Sequence, residues 1–246
     1  MNRADVFDAA ALTDKGLIRG HNEDAALSRP DLGLFVVADG MGGHQAGDFA
    51  SQTIVEAAAS VGLASSRDDL EARFLERLSR AHLDVQHRAD ELGATVGATV
   101  VALLVHDDGW TCAWAGDSRL YRMRHGQLQQ LSMDHTEVAA LVADGVIRPE
   151  EAATWPRRNV ITRAIGVTDD PLCDMVRGDA DVGDVFLLCS DGLTEHVDDT
   201  AIARHLGASD PSAVICQNLI QATLAGGASD NVTCVVVRIS TPMVAE

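Results

Sequence analysis

The chain has 246 residues, of which 46% are hydrophobic and 23% charged, so it can bury a substantial core without disulfides. Acidic residues outnumber basic ones by 37 to 19, which gives a formal net charge of −18. A chain this acidic is poorly matched to nucleic acid or to an anionic membrane surface, and neither is expected as a partner.

Five cysteines are scattered along the chain, and three of them lie within apolar runs typical of buried strands. An odd number of cysteines with no close pair argues against a disulfide framework and favours a reducing compartment. The N-terminus carries no signal-peptide pattern, and no apolar run approaches the length of a membrane span. We therefore expect a cytoplasmic protein, with a monomer as the default state.

The hydrophobic pattern predicts an alternation of strands and helices without a linker. In chain order it indicates strands in 5–18, 25–27 and 32–38, helices over 46–61 and 70–92, strands in 95–105, 110–115, 120–124 and 128–131, an irregular segment over 136–163 with a short helix at 138–142, a strand at 182–189, helices at 199–206 and 211–224, and a last strand at 232–239. Short hairpin turns indicate antiparallel meanders. We therefore expect an α+β fold in which helices cover antiparallel sheets.

The most informative stretch is the apolar run 34–38, which leads into Asp39 and the glycine-rich residues 40–43. We expect the strand to end there and to turn the Asp39 carboxylate into a cleft, because glycines bend the backbone and interrupt strands. Asp117, Asp191 and Asp230 also stand at the edges of apolar runs. One Asp-Gly pair alone indicates only a turn. Four converging acids indicate a bound cation, because buried charges of one sign need a counter-charge.

Oxygen ligands favour hard cations such as Mg²⁺, Mn²⁺ or Ca²⁺, and the spacings typical of zinc and EF-hand sites are absent. We therefore predict Mg²⁺ or Mn²⁺, with two ions that share Asp39 and hold a hydroxide between them. Phosphate is the substrate group that such ions stabilise best. Arg19 could bind phosphate through its guanidinium fork. The alternative for Arg19 is a surface salt bridge with Glu23.

Eight short motifs follow one another along the chain. They are RGHNED at 19–24, DGMGG at 39–43, GAT at 97–99, GDSR at 116–119, DH at 134–135, TRAIG at 162–166, SDG at 190–192 and DN at 230–231. In this order, and over roughly residues 8–239, the chain resembles the metal-dependent protein phosphatase family, the protein phosphatase 2C type, in its compact bacterial form.

The resemblance implies a four-layer αββα sandwich, in which two antiparallel sheets are flanked by helices, built by a single domain over residues 1–246. It also implies hydrolysis of phosphoserine and phosphothreonine in proteins, with Mg²⁺ or Mn²⁺ as cofactor. The partners would be phosphorylated proteins and a bacterial Ser/Thr kinase that the enzyme opposes. Residues 136–163 correspond to a flap beside the cleft that influences substrate choice.

The metal ligands are also implied by motif position. Asp39 would bridge both ions, and the carbonyl of Gly40 would bind the second ion. Asp191 and Asp230 would complete the first site. Asp117 would hold a weaker third ion together with Asp191.

The remaining catalytic residues follow in the same way. Arg19 would hold the phosphate, and Glu23 and Asp24 would orient metal-bound waters. The chain departs from some family members at Met41, where they carry a His proposed as general acid. His44 lies further along and could deliver a proton, or it could be only a loop residue before the helix. A metal-bound water could protonate the leaving group instead.

The sequence thus leaves two alternatives to a protein phosphatase on the same fold. One is a phosphoprotein-binding pseudo-enzyme, which would be expected to lack some metal-binding acids, whereas here all are present. The other is a hydrolase of small phosphate esters.

Overall fold

The computed structural model describes residues 3–42, 46–106, 109–152, 154–168, 170–171 and 173–241. Within these ranges the strands, in chain order, are β1 (Phe7–Asp14), β2 (Asp24–Arg29), β3 (Leu34–Met41), β4 (Gly97–Ala98), β5 (Val100–His106), β6 (Gly109–Ala115), β7 (Arg119–Arg124), β8 (Gln127–Gln130), β9 (Asp174–Asp179), β10 (Val185–Cys189) and β11 (Val232–Ile239). The helices are α1 (Ala46–Ala59), α2 (Arg67–Leu92), α3 (Glu137–Ala143), α4 (Pro149–Ala152), α5 (Asp191–Thr194), α6 (Asp199–Leu206) and α7 (Ser212–Ala225).

The strands form two antiparallel sheets. One sheet has the order β1-β11-β10-β7-β8, and the other has the order β2-β3-β5-β6-β9, with the short β4 paired to β3. Every sheet neighbour is antiparallel, as the predicted hairpins required.

Alternation along the central strands divides the core into three apolar layers. In β3, Phe35 and Val37 pack between the sheets, whereas Leu34 and Val36 pack under α1 and α2. In β10, Phe186 likewise faces the other sheet, and its neighbours pack under α6 and α7. The predicted four-layer αββα sandwich is confirmed. Among the described helices, none combines the length and the apolar character needed to cross a membrane.

The longest helix, α2, begins three residues before the predicted start. The Ser66 side chain accepts a hydrogen bond from the backbone N–H of Asp69, which caps the helix N-terminus. Gly93 ends the helix in the left-handed conformation at a φ of 59°, as its position in the sequence predicts. The apolar stripe includes Leu70, Phe74 and other buried residues that face the second sheet.

Strand β3 is longer than the sequence predicts, and the expectation that it ends before Asp39 is wrong. Gly40 pairs with Ala98 and Met41 pairs with Gly97 in the same ladder. Gly40 does not interrupt the strand, because β4 supplies a pairing partner for this part of the backbone. Asp39 therefore lies within a regular strand, and its orientation is fixed on both sides.

Two further differences concern polar segments. The edge strand β9 and the short helix α5 are not predicted, because β9 alternates between exposed and half-buried residues and α5 has only one turn. Within the segment 136–163, α3 confirms the short helix predicted at 138–142, and the one-turn helix α4 is not predicted.

The middle layer provides a test of the sandwich. Phe35 is fully buried between the sheets and contacts Phe7 edge to face, with ring centroids 5.5 Å apart. We expect Phe35→Ala to lower the free energy of unfolding by about 3–5 kcal/mol, because it leaves a cavity that two rigid sheets cannot close. Urea denaturation measures this loss. The control Leu63→Ala, at a side chain that is 74% exposed, should change it by less than about 0.5 kcal/mol. A loss below about 1 kcal/mol for Phe35→Ala would contradict this packing.

Candidate metal centre

The two sheets meet at one end of the sandwich, and polar side chains replace the apolar middle layer there. Asp39 stands two residues beyond Val37 on the strand face that points toward the other sheet. Asp24 follows the same rule on β2. From the other sheet, the hydroxyl of Ser190 donates a hydrogen bond of 2.8 Å to Oδ2 of Asp24, which joins the sheets across the seam.

A pocket of about 480 Å³ opens at this seam. It is lined by residues from widely separated motifs, namely Arg19, Gly20, His21, Glu23, Asp39, Gly40, Met41, Gly42, Thr99, Asp117, Asn159, Ile161, Asp191, Asp230 and Asn231. All the predicted site residues except Asp24 therefore line this pocket. Asp24 is buried beside the pocket as the cross-strand partner of Asp39.

The pairing of Asp24 with Asp39 is unfavourable for two ionised carboxylates. The residues lie directly opposite each other in the antiparallel ladder, where like charges destabilise a sheet. Oδ1 of Asp24 is buried and accepts no hydrogen bond from any group in the described residues. Such an arrangement needs a counter-charge to persist with both acids ionised.

The electrostatics of the pocket lead to the same conclusion. Burial raises the pKa of Asp39 well above its usual range, and the neighbouring charges of Asp24, Asp191 and Asp117 raise it further. Burial followed by the charge of Asp117 raises the pKa of Asp191 to about 8. Burial also raises the pKa of Asp117 to about 6. A divalent cation relieves this mutual repulsion, because it supplies the charge that keeps the acids ionised.

The donor set fits hard, hydrated cations. The acids line an open pocket, and among the described residues no group of three or more His, Cys, Asp or Glu side chains is placed to hold a metal ion by itself. Mg²⁺ does not need three protein ligands, since it keeps several waters and uses only one or two carboxylates. Carboxylate and carbonyl oxygens are also the donors that suit Mn²⁺. The residues present therefore fit these ions.

Arg19 reaches the pocket but does not pair with Glu23. Its guanidinium donates to Oδ2 of Asp230 at 2.6 Å, and the side chain is 53% exposed. The alternative of a Glu23 salt bridge is therefore wrong. A guanidinium carries five N–H donors, so the contact with Asp230 leaves donors for an anion in the pocket.

Gly40 has a steric reason to be glycine. A Cβ at this position would lie 2.1 Å from the carbonyl oxygen of Gly47 in α1. Strand β3 and the start of α1 therefore pack backbone against backbone, and no side chain fits between them. The close approach fixes the backbone of Gly40 at the pocket wall.

Asn231 is an organising residue to which the sequence assigns no role. Its Oδ1 accepts a hydrogen bond from the backbone N–H of Glu23 at 2.8 Å, and its Nδ2 donates to the carbonyls of Lys15 and His21, each at 2.9 Å. The side chain thus ties the loop that carries Arg19 to the segment that carries Asp230. The DN motif contains Asn231, but the motif does not reveal its hydrogen-bond partners, which lie more than 200 residues away in the chain.

Thr99 and Ser118 support the pocket from the other side. Their hydroxyls lie 2.7 Å apart, and the backbone N–H of Thr99 donates to the carbonyl of Asp39 at 2.8 Å. Since Ser118 follows Asp117, this contact links two acids from distant motifs. The GAT and GDSR motifs contain both residues, yet only the fold reveals that they touch.

The general acid is not identified by these contacts. Met41 lines the pocket, and a thioether has no proton to donate. His44 lies outside the described residues.

The fold consists of two stacked antiparallel sheets with helices outside, and the acidic pocket at one end has oxygen donors that fit divalent cations. These are the features of a metal-dependent hydrolase. The model of the family described as Protein phosphatase 2C matches residues 19–223. The chain belongs to this family.

Individual relatives agree with this assignment. The chain is 37% identical over 237 residues to the serine/threonine protein phosphatase PstP of Mycobacterium tuberculosis, covering 95% of this chain but 45% of PstP. The chain thus spans less than half the length of PstP. It is 32% identical to the serine/threonine phosphatase Stp of Listeria monocytogenes, covering 92% of this chain and 93% of Stp.

Solved structures are similar over almost the whole chain. PppA, a key regulatory component of T6SS in Pseudomonas aeruginosa, is 40% identical with a TM-score of 0.87, covering 94% of this chain and 97% of that one. The catalytic domain of PstP in complex with two manganese ions is 35% identical with a TM-score of 0.82, covering 96% and 99%.

The role of Asn231 can be tested by Asn231→Ala. The substitution removes three hydrogen bonds, so we expect the backbone amide of Glu23 and its neighbours to exchange hydrogen faster. Hydrogen-exchange mass spectrometry of peptides over 15–24 measures this change. Asn159→Ala, in the same pocket lining but without these contacts, is the control. Unchanged protection of 15–24 in Asn231→Ala would show that other contacts hold the loop.

Proposed function

We propose that this chain is a metal-dependent serine/threonine protein phosphatase that hydrolyses phosphoserine and phosphothreonine in proteins. The observation that carries the proposal is the convergence of Asp39, Asp117, Asp191 and Asp230 on one pocket together with Arg19. Family membership and the likeness to phosphatases from several bacteria support it.

We assign the ligands of the pocket as follows. Asp39 would hold two Mg²⁺ or Mn²⁺ ions, with the carbonyl of Gly40 as a ligand for the second ion and Asp191 and Asp230 as ligands for the first. Asp117 would hold a weaker third ion with Asp191. The oxygen donor set and the raised pKa of Asp39 support this assignment. When bound, such ions neutralise phosphate charge and make water a better nucleophile near neutral pH.

The protein residues then bind and orient. Arg19 donates N–H groups to the phosphate oxygens, where its planar fork matches two acceptors at once. Glu23 and Asp24 accept hydrogen bonds and thereby orient water in the pocket. Asp24 is held for this task by Ser190, and Glu23 is held through its backbone by Asn231.

The finer features of the proposal concern context. We infer one catalytic domain over 1–246, in which the segment 136–163 is a flap, because Asn159 and Ile161 border the pocket. We infer that the protein acts in the cytoplasm, since all five cysteines are free and four of them are buried. A monomer is the default state that we propose. The substrates would be proteins phosphorylated by a Ser/Thr kinase.

The central test is hydrolysis of p-nitrophenyl phosphate and of a phosphothreonine peptide with and without metal. We expect activity with Mn²⁺ or Mg²⁺ and none after chelation. Asp39→Asn should lower kcat/KM by about a hundredfold or more and weaken Mn²⁺ binding in calorimetry, because it removes the shared negative ligand. The control Asp84→Asn changes an exposed acid on α2 and should alter neither.

The outcomes separate the alternatives. Full activity in Asp39→Asn would refute the bridging assignment. Peptide binding without turnover would indicate a pseudo-enzyme. Turnover of nucleotides or sugar phosphates far above that of phosphopeptides would indicate a small phosphate-ester hydrolase.

A second test addresses Arg19. We expect Arg19→Lys to lower kcat/KM about tenfold and to weaken inhibition by orthophosphate, because lysine keeps the charge but loses the planar fork. Arg73→Lys is the matched control, since Arg73 forms an exposed ion pair with Asp69 on α2. Equal inhibition constants in wild type and Arg19→Lys would place the phosphate elsewhere.

A further inference from the structure

The turn before Arg19 holds two adjacent aliphatic side chains in solvent. Leu17 is 62% exposed and Ile18 is 73% exposed, and the residues that follow them, 19–21, line the pocket. Exposed aliphatic side chains are common on protein surfaces, so exposure alone decides nothing. The distinguishing features are the support beneath these side chains and the charges around them.

The backbone of this turn is fixed to the metal centre. The N–H of Leu17 donates to the carbonyl of Ala228 at 3.0 Å, and the carbonyl of Lys15 accepts from Asn231. Gly16 has a φ of 74°, and a Cβ there would lie 2.1 Å from the carbonyl oxygen of Asp230. The turn therefore packs directly on the segment that carries Asp230 and presents Leu17 and Ile18 from a rigid base.

Ala228, whose carbonyl accepts the hydrogen bond from the N–H of Leu17, has a strained backbone. Ala228 has a φ of 24°, a backbone conformation that non-glycine residues rarely adopt. Such strain persists only where surrounding contacts over-determine the backbone, and it is concentrated at functional sites. The position of the turn is therefore stabilised against a local preference of the chain.

The charge of the turn is opposite to that of the molecule. Lys15 is the only lysine in the sequence, and its exposed ammonium forms no ion pair with any residue in the described ranges. The adjacent carboxylate of Asp14 is engaged by the N–H of Gly16 at 2.8 Å. At physiological salt, charges more than about 8 Å away are largely screened, so the exposed ammonium of Lys15 is a local cation that an acidic side chain can contact.

We propose that residues 15–18, the recognition turn, bind the substrate chain beside the phosphorylated residue. With the phosphate at Arg19, Leu17 and Ile18 receive an aliphatic side chain one or two residues away, and Lys15 receives an acidic side chain further along. Residues 15–18 directly precede Arg19 in the chain, and an extended peptide advances about 3.3 Å per residue, so the turn can contact side chains within a few positions of the phosphorylated residue. The proposal rests on the proposed function, and its occupant is an extended phosphopeptide.

The test compares phosphothreonine peptides that differ only in their flanking residues. One peptide carries isoleucine next to the phosphothreonine and glutamate further along, and its partners carry serine or glutamine there. We expect wild-type kcat/KM to be about tenfold higher for the isoleucine peptide than for the serine peptide, since one buried aliphatic group discriminates by this order. Leu17→Ser/Ile18→Ser should reduce this ratio to near one.

Two comparisons make the result specific. In Leu17→Ser/Ile18→Ser, the ratio of kcat/KM for the isoleucine peptide to that for p-nitrophenyl phosphate should fall about tenfold, because only the peptide reaches the turn. The control Leu63→Ser, at an equally exposed leucine, should leave both ratios unchanged. Lys15→Gln should remove the preference for glutamate and its dependence on salt.

A binding measurement separates this proposal from the catalytic one. Fluorescence anisotropy with labelled, non-hydrolysable phosphonate analogues of the isoleucine and serine peptides, in the presence of Mn²⁺, reports recognition without turnover. A preference in binding without hydrolysis would support the recognition turn and refute the phosphatase proposal. Equal affinity for both peptides, or an equal fall for peptide and p-nitrophenyl phosphate in Leu17→Ser/Ile18→Ser, would overturn the recognition turn.

Discussion

Mutual repulsion between buried and half-buried carboxylates is the constraint around which this molecule is built. Asp24 and Asp39 face each other across one pair of strands, and Asp117, Asp191 and Asp230 act on the same pocket. A sheet does not place like charges opposite each other without cost. Bound cations would offset this cost, since the acids would then act as ligands whose separation is fixed by the two sheets.

Rigid elements and a polar shell hold these acids in place. Asp39 lies within a strand that is paired on both sides, because β2 and β4 flank its end. Ser190 crosses from the other sheet to Asp24, and Thr99 supports the backbone of Asp39. Each contact joins residues from distant parts of the chain. Sites supported in this way keep their geometry when a ligand enters or leaves.

The sequence predicts the architecture well, because alternating and helical apolar patterns report directly on burial. The long central strands and α1, α2, α6 and α7 are all found close to their predicted bounds. It predicts the pocket residues through recurring strand-then-acid patterns and through family motifs. It misses β9 because an edge strand needs no continuous apolar run, and it ends β3 too early because pairing with β4 is not a local property.

Contacts between distant residues are what the sequence leaves open. Asn231 sits in a recognisable motif, but its function depends on carbonyls contributed by residues 15 and 21. The sequence leaves phosphate and Glu23 as alternative partners for Arg19, and the structure shows a third partner, Asp230. Local propensity carries no information about such pairs, since they exist only after the two sheets have packed.

The net charge of the molecule places a further demand on recognition. A protein with a charge of −18 repels a phosphorylated substrate at long range, so electrostatic steering does not accelerate their encounter. Screening confines this repulsion to roughly 8 Å at physiological salt. Affinity must therefore arise from short-range contacts, where bound cations and Arg19 reverse the sign of the field. In the proposed recognition turn just before Arg19, the Lys15 ammonium adds positive charge beyond the pocket and the exposed Leu17 and Ile18 add apolar contact, which is where a phosphoprotein differs from a free phosphate ester.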